Sequence, residues 1–236
     1  MSFLQRHAEL GPAEFERLAK IETTRASFRD GETIIPLQSK LEQSCILVSG
    51  LALRVHSAEV LNRSRVISAI HVPGDFVDLH GFLLSGLGHE VVASGHAVTE
   101  FISHDELREI TRTHPRLTRL LMMCTAIDAA VNRQWLAAAA SLHSTAHLAH
   151  LLCEIYTRME QAGAADSHRM VLPLLQRDLA DMLGYSTVHV NRAVRDLRDA
   201  GLVRWQGQHI EIEDWNGLIR LARFSPKYLS LGAHSR

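Results

Sequence analysis

The 236-residue chain has only three cysteines, Cys45, Cys124 and Cys153, far apart and without a Cys-x-x-Cys pair. An odd, scattered set supplies no disulfide framework, and each thiol reads best as a small buried hydrophobe. No uncharged apolar run of about 18 residues occurs, so no membrane-spanning helix is expected. Met1-Ser2-Phe3-Leu4-Gln5-Arg6-His7 lacks the apolar core of a signal peptide, which points to a cytoplasmic protein. Net charge is −1, so a global basic signature of nucleic-acid binding is missing too. That absence does not exclude such binding, because only the groove-facing surface must be positive. There is no Gly-x-Ser-x-Gly elbow and no Gly-x-x-x-x-Gly-Lys phosphate loop, and an enzyme is not expected. Apolar content of 46% and charged content of 22% are those of an ordinary globular chain.

The most informative stretch is Leu175 to Leu202. Leu175, Leu179, Met182 and Leu183 repeat at helical spacing. Gly184-Tyr185 ends that helix, and Ser186 stands where an N-cap belongs. A second helix is predicted from Thr187 to Asp199. On a helical wheel Val190, Ala193, Val194 and Leu197 share one face, while Val188, Asn191, Arg192 and Arg195 share the opposite one. An amide and two guanidinium groups on one exposed face suit base edges in a major groove; they equally suit a solvated basic surface. Leu202 to Trp205 then reads as a strand, Gln206-Gly207-Gln208 as a turn and His209 to Ile212 as a return strand. Between Thr187 and Arg204, arginines 192, 195, 198 and 204 face aspartates 196 and 199, a surplus of two positive charges.

Two helices and a trailing hairpin make a winged helix-turn-helix. The run from Gln176 to Arg192, with its Gly184, Ser186, alternating Val188 and Val190 and closing Arg192, resembles the DNA-binding signature of the Crp/Fnr family of bacterial transcription regulators. The resemblance implies that Val188, Asn191 and Arg192 read bases, and that Ser186, Thr187 and His189 lie against the backbone. Arg195 is intermediate. Val188 departs from the glutamate more usual at its position; valine can touch a thymine methyl but cannot accept from cytosine.

Upstream, short β-rich runs alternate with glycine or polar turns: Thr33–Pro36, Cys45–Val48, Leu51–Val55, Arg65–Ile70, Glu90–Ala93 and Val98–Ile102. A helix from Glu14 to Ile21 precedes them. The placing of Gly31, Gly50 and Pro73-Gly74-Asp75 resembles the β-roll of cyclic-nucleotide-binding domains. A short helix over 105–113 leads to a long one opened by Pro115, and Ser144 reads as the N-cap of a further helix to Gln161. In the long helix Leu117, Leu121, Cys124, Val131, Trp135, Ala138 and Leu142 keep a 4-3 spacing, with Asp128 as the exception. A second seam through Leu120, Cys124, Ile127, Val131 and Ala138 fits equally. The family resemblance makes this a two-fold dimerisation helix; the bare pattern also fits a buried core helix.

Cyclic-nucleotide binding in this family uses an arginine on the phosphate, yet no arginine occurs from Phe76 to Phe101. Cyclic AMP is therefore not the expected ligand. Three scattered thiols do not supply the four ligands of an iron–sulfur cluster. His143, His147 and His150 fall at i, i+4 and i+7, but Ser144 would begin a helix inside the triplet, so surface or interface histidines are favoured over a metal site. For His71, His80, His89 and His96 the ordinary reading is likewise favoured over haem or pH sensing.

The expected fold is α+β: residues 1–142 a jelly-roll-like β-roll with a dimerisation helix over about 115–142, residues 143–236 a winged helix-turn-helix. The expected protein is a dimeric regulator of a palindromic site. Its partners are double-stranded DNA, a second copy, RNA polymerase and an unidentified small-molecule effector, with no membrane. The alternative is a sensor module that controls a protein partner without touching DNA.

Overall fold

The computed structural model describes residues 10–37, 40–57, 65–84 and 86–230. The N-terminal heptapeptide used for the compartment reading lies outside them. Helix α1 (Pro12–Ala19) has proline in its first turn and starts and ends two residues before the predicted span. A five-stranded antiparallel sheet follows, built from β1 (Thr24–Phe28), β2 (Thr33–Ile35), β3 (Gln43–Ser57), β4 (Arg65–His71) and β5 (Glu90–Ser103). Its strand order is β1-β5-β3-β4, with β2 also on β5.

Four of the predicted strands are halves of two long ones. Cys45–Val48 and Leu51–Val55 join into β3, and Glu90–Ala93 and Val98–Ile102 join into β5. The glycines between them are bulges, not turns. Gly50 has φ +81°, and a Cβ there would lie 2.2 Å from the His96 carbonyl oxygen, so only glycine lets the two strands approach. The ladder shifts register on both sides of Ser49. Strand β1, Thr-Arg-Ala-Ser-Phe, was not foreseen because an edge strand paired only to β5 needs no apolar alternation.

Ser103 caps α2 (His104–Thr113), accepting from Glu106 N–H. Helix α3 (Pro115–Ser141) runs 27 residues and ends at Leu142. Helix α4 (Ser144–Gln161) is N-capped in position by His143, not Ser144, so Leu142 and His143 form a two-residue extended hinge. Then come β6 (Arg169–Val171), α5 (Gln176–Leu183), α6 (Thr187–Asp199), β7 (Val203–Gln206), β8 (His209–Ile212), α7 (Trp215–Ala222) and a 3-10 turn over Pro226–Leu229. The second sheet is β6-β8-β7.

Neither predicted seam of α3 faces outward. Leu117, Leu120, Leu121, Val131 and Ala138 are buried within the chain's own core. The 4-3 spacing is real, but roll and α4 consume it. Asp128, the exception in that spacing, meets buried Arg54 of β3 at 3.1 Å. A third stripe at 4-3 spacing, Met122, Ala126, Ala129, Arg133, Leu136 and Ala140, is the exposed one. One apolar cluster joins Leu51, Leu53 and Ile67 of the roll to Leu152, Leu179, Val190 and Leu218 beyond the hinge. No helix of the described residues is long and apolar enough to cross a membrane.

Candidate nucleic-acid interface

Helix α5 is preceded by Leu175 in the N-cap position, and the Asp178 carboxylate accepts the Leu175 N–H at 2.8 Å. Leu179, Ala180 and Leu183 bury its inner face. Gly184 closes it with φ +75°, a left-handed turn that costs a side chain-bearing residue about 1 kcal/mol. The chain then re-enters helix at Ser186, whose Oγ accepts from His189 N–H at 3.3 Å and also lies 2.8 Å from His189 Nδ1. This cap fixes where α6 starts and which way its side chains point.

Val190, Ala193 and Leu197 are fully buried. The opposite face is open. Ser186, Thr187, Val188, His189, Asn191, Arg192 and Arg195 are all exposed, Val188 to 74%. The structure thus brings every predicted site residue to one surface. Among the described residues the side chains of Arg192, Arg195 and Arg198 make no ion pair or hydrogen bond within the chain. Unpaired guanidinium groups on a rigid, capped helix are available to a phosphate or a guanine edge.

The wing carries less charge than its sequence suggests. Arg204 is held by Glu211 at 3.0 Å and by Glu213, so the fourth arginine is spent inside the hairpin. Arg169 also pairs with Glu211, at 2.8 Å. What the wing presents is Gln206, Gly207, Gln208 and His209, all exposed. Arg177, exposed at the start of α5, adds a cation beside the motif. Sequence reasoning passed over both; exposed amides flanking the Gly207 turn were the available signal.

The histidines resolve differently. His143 is exposed, but His147 and His150 are buried, not surface or interface groups as expected. His147 lies edge-on to Tyr185, ring centres 5.8 Å apart, and burial pushes its pKa down to about 4. His150 Nδ1 faces the Ala222 carbonyl at 3.0 Å. In the roll, His89 lies between His56 and His80, with ring centres 5.6 and 5.2 Å away. Burial first, then Arg54, lowers all three, His89 to about 3. No group of three or more His, Cys, Asp or Glu among the described residues is placed to hold a metal. Cys45 and Cys153 are buried, and burial raises both thiols, Cys153 to about 12.

Residues 146–221 match the family model of a Crp-like helix-turn-helix domain. The transcriptional activator protein FnrL of Cereibacter sphaeroides is 23% identical over 225 residues, covering 93% of this chain and 89% of that protein. The transcriptional regulatory protein btr of Bordetella pertussis is 23% identical, covering 88% and 85%. Among solved structures, FixK2 from Bradyrhizobium japonicum superposes with a TM-score of 0.72 at 21% identity, covering 85% of this chain and 98% of that one. A CooA mutant from Carboxydothermus hydrogenoformans gives a TM-score of 0.65 at 13% identity, with 94% of each chain covered.

Proposed function

We propose that this chain, a member of the Crp/Fnr family of transcription regulators, works as a two-fold dimer that reads a palindromic operator with α6. The observation that carries this reading is the unpaired set Asn191, Arg192 and Arg195 on a helix whose start is fixed by Ser186. A dimer of such units needs its two helices about 34 Å apart to enter successive major grooves. The exposed stripe of α3 supports the assembly. Met122 is 65% and Leu136 73% exposed, and alanines between them allow close helix approach.

The proposed controlling signal acts at the roll. A cavity of about 230 Å³ lies between β4, α3 and α4, with Phe76, His80, Ile127, Asp128 and Arg158 in its walls. A small molecule is the occupant this reading favours, and a cyclic nucleotide is not. No arginine lies between Phe76 and Phe101, and the nearby Arg54 and Arg158 are already engaged by Asp128 and Asp75. RNA polymerase as a further partner and a cytoplasmic location follow from the same reading.

The test is duplex binding by the purified full-length protein across a salt series. Binding should weaken steeply with salt, because each phosphate neutralised releases counterions, with a log–log slope near −0.9 per contact. Undetectable duplex binding at low salt would favour the alternative, a sensor acting through a protein partner.

A further inference from the structure

Glu154 lies in the middle of α4 and is fully buried. Its carboxylate accepts hydrogen bonds from three segments of the chain. Trp135 Nε1 of α3 donates to both oxygens, at 3.0 and 3.2 Å. The Tyr228 hydroxyl, from the 3-10 turn after α7, donates at 2.6 Å. Arg158, one turn further along α4, donates at 3.0 Å. Arg158 also donates to Asp75 at 2.7 Å and to the Ile70 carbonyl at 2.8 Å, both in the roll.

A buried carboxylate is costly, and apolar side chains of similar volume would often stabilise the fold as well or better. What the charged node adds is direction. Along the chain, helices α3 and α4 are joined by the extended hinge at Leu142 and His143. Apolar packing between them tolerates sliding, whereas a bifurcated indole bond to a carboxylate held by two other donors does not. The other polar link across this angle, Gln134 to His150, is long at 3.5 Å. Helix α3 carries the exposed stripe, and α6 packs on α4 through Val190, Ala193 and Leu197. The α3–α4 angle therefore sets how far apart two α6 helices stand about a dyad.

We propose that Glu154 is a positioning residue: through the Trp135 indole N–H it fixes the α3–α4 angle, and with it the half-site spacing that a dimer accepts. The proposal rests on the dimeric DNA-reading function above. Through Arg158 and Asp75 the same node reaches the roll, which gives the roll a route to operator spacing.

The probe is the palindromic duplex that the wild-type full-length protein enriches from a random-sequence pool. It is remade with one base pair inserted or deleted at its centre, and also as a single half-site. The wild type should prefer its own spacing by about tenfold or more, as for other single-position errors in a site. Trp135→Phe removes the N–H and keeps an aromatic ring. It should cut that preference to about twofold while leaving half-site affinity unchanged. Tyr228→Phe removes a different donor from the same carboxylate without crossing the hinge; it should lower the thermal midpoint and keep the spacing preference. An unchanged spacing profile in Trp135→Phe, or equal broadening in Tyr228→Phe, would overturn the positioning role. If Trp135→Phe does not fold, Glu154→Gln should show the broadening, and a wild-type profile there overturns it equally. A wild type that enriches no palindrome sinks the dimeric reading, and the positioning role with it.

Discussion

Arg65 of the roll and Asp178 of the first helix of the DNA-reading motif stand 2.6 Å apart, an ion pair between residues 113 positions distant in sequence. Asp178 is buried and also caps α5, and Asp181 lies 3.5 Å from the same guanidinium. The roll therefore grips the helix-turn-helix directly, beside the hinge and not through it. Arg65→Ala should cost about 1–2 kcal/mol, more than an exposed pair because Asp178 is left partly buried without its cation. Urea midpoints of Arg65→Ala, Asp178→Asn and the double variant check it. Additive single effects would mean that the two side chains are not coupled.

Base reading should divide along α6. Arg192→Ala should cost about 1–3 kcal/mol per half-site on a cognate duplex and relax preference at one base pair. His189→Ala should weaken all duplexes by one similar factor and leave the preference intact. Affinities for the cognate duplex, its single-base variants and random duplex at fixed salt decide it. Equal loss on every sequence for Arg192→Ala would put the base-reading face elsewhere.

Assembly should follow the exposed stripe. Leu136→Asp places two like charges at a two-fold seam and should give folded monomers at micromolar concentration by light scattering. Val131→Asp, in contrast, buries a charge inside the chain's own core and should unfold it. A stable Leu136→Asp dimer would show that the contact lies off this stripe.

Stability should fall as pH drops from 6.5 toward 4. Burial holds His71, His89 and His147 below the usual imidazole value, His89 to about 3 and His147 to about 4. Neighbouring guanidinium groups push the same way: Arg54 on His71 and His89, and Arg158 on His71. Such groups stay neutral when folded and take protons when unfolded, so their contribution is full above the unfolded pKa and is lost below it. Each should contribute up to about 1.4 kcal/mol per pH unit in that window. Asp78 works oppositely. Burial raises it to about 7, so its contribution is present at low pH and lost as pH rises through that value. The lowered imidazoles, His56 and His80 among them, outnumber the raised carboxyls of Asp78 and Asp181, and urea titrations at pH 7.5, 6 and 5 should show the decline. His147→Gln should flatten it.

The motif at 175–202 was legible because its punctuation is local. Gly184, Ser186 and the 3.6-residue alternation of α6 act within a few residues, and the bounds Thr187 to Asp199 came out as read. The roll was legible as strands but not as ladders. Gly50 reads as a turn until His96 is known to lie across from it, and nothing near Gly50 says so. The seam of α3 was misassigned for a similar reason. Two interleaved 4-3 stripes look alike in sequence, and only the roll decides which one faces inward. Asp128 held the clue: a charge in an apolar spacing needs a buried partner, and Arg54 supplies it from 74 positions away.

The apolar core that passes from Leu51 and Ile67 through Leu152 to Leu218 has a thermodynamic consequence. A winged helix on its own flexible tether would melt independently of the roll. Here the two share one interior, so opening the hinge exposes apolar surface on both sides of it. Heat or urea should therefore unfold the described chain in one cooperative step, with near-ultraviolet and far-ultraviolet signals lost together. Roll and winged helix are in that sense one folding unit.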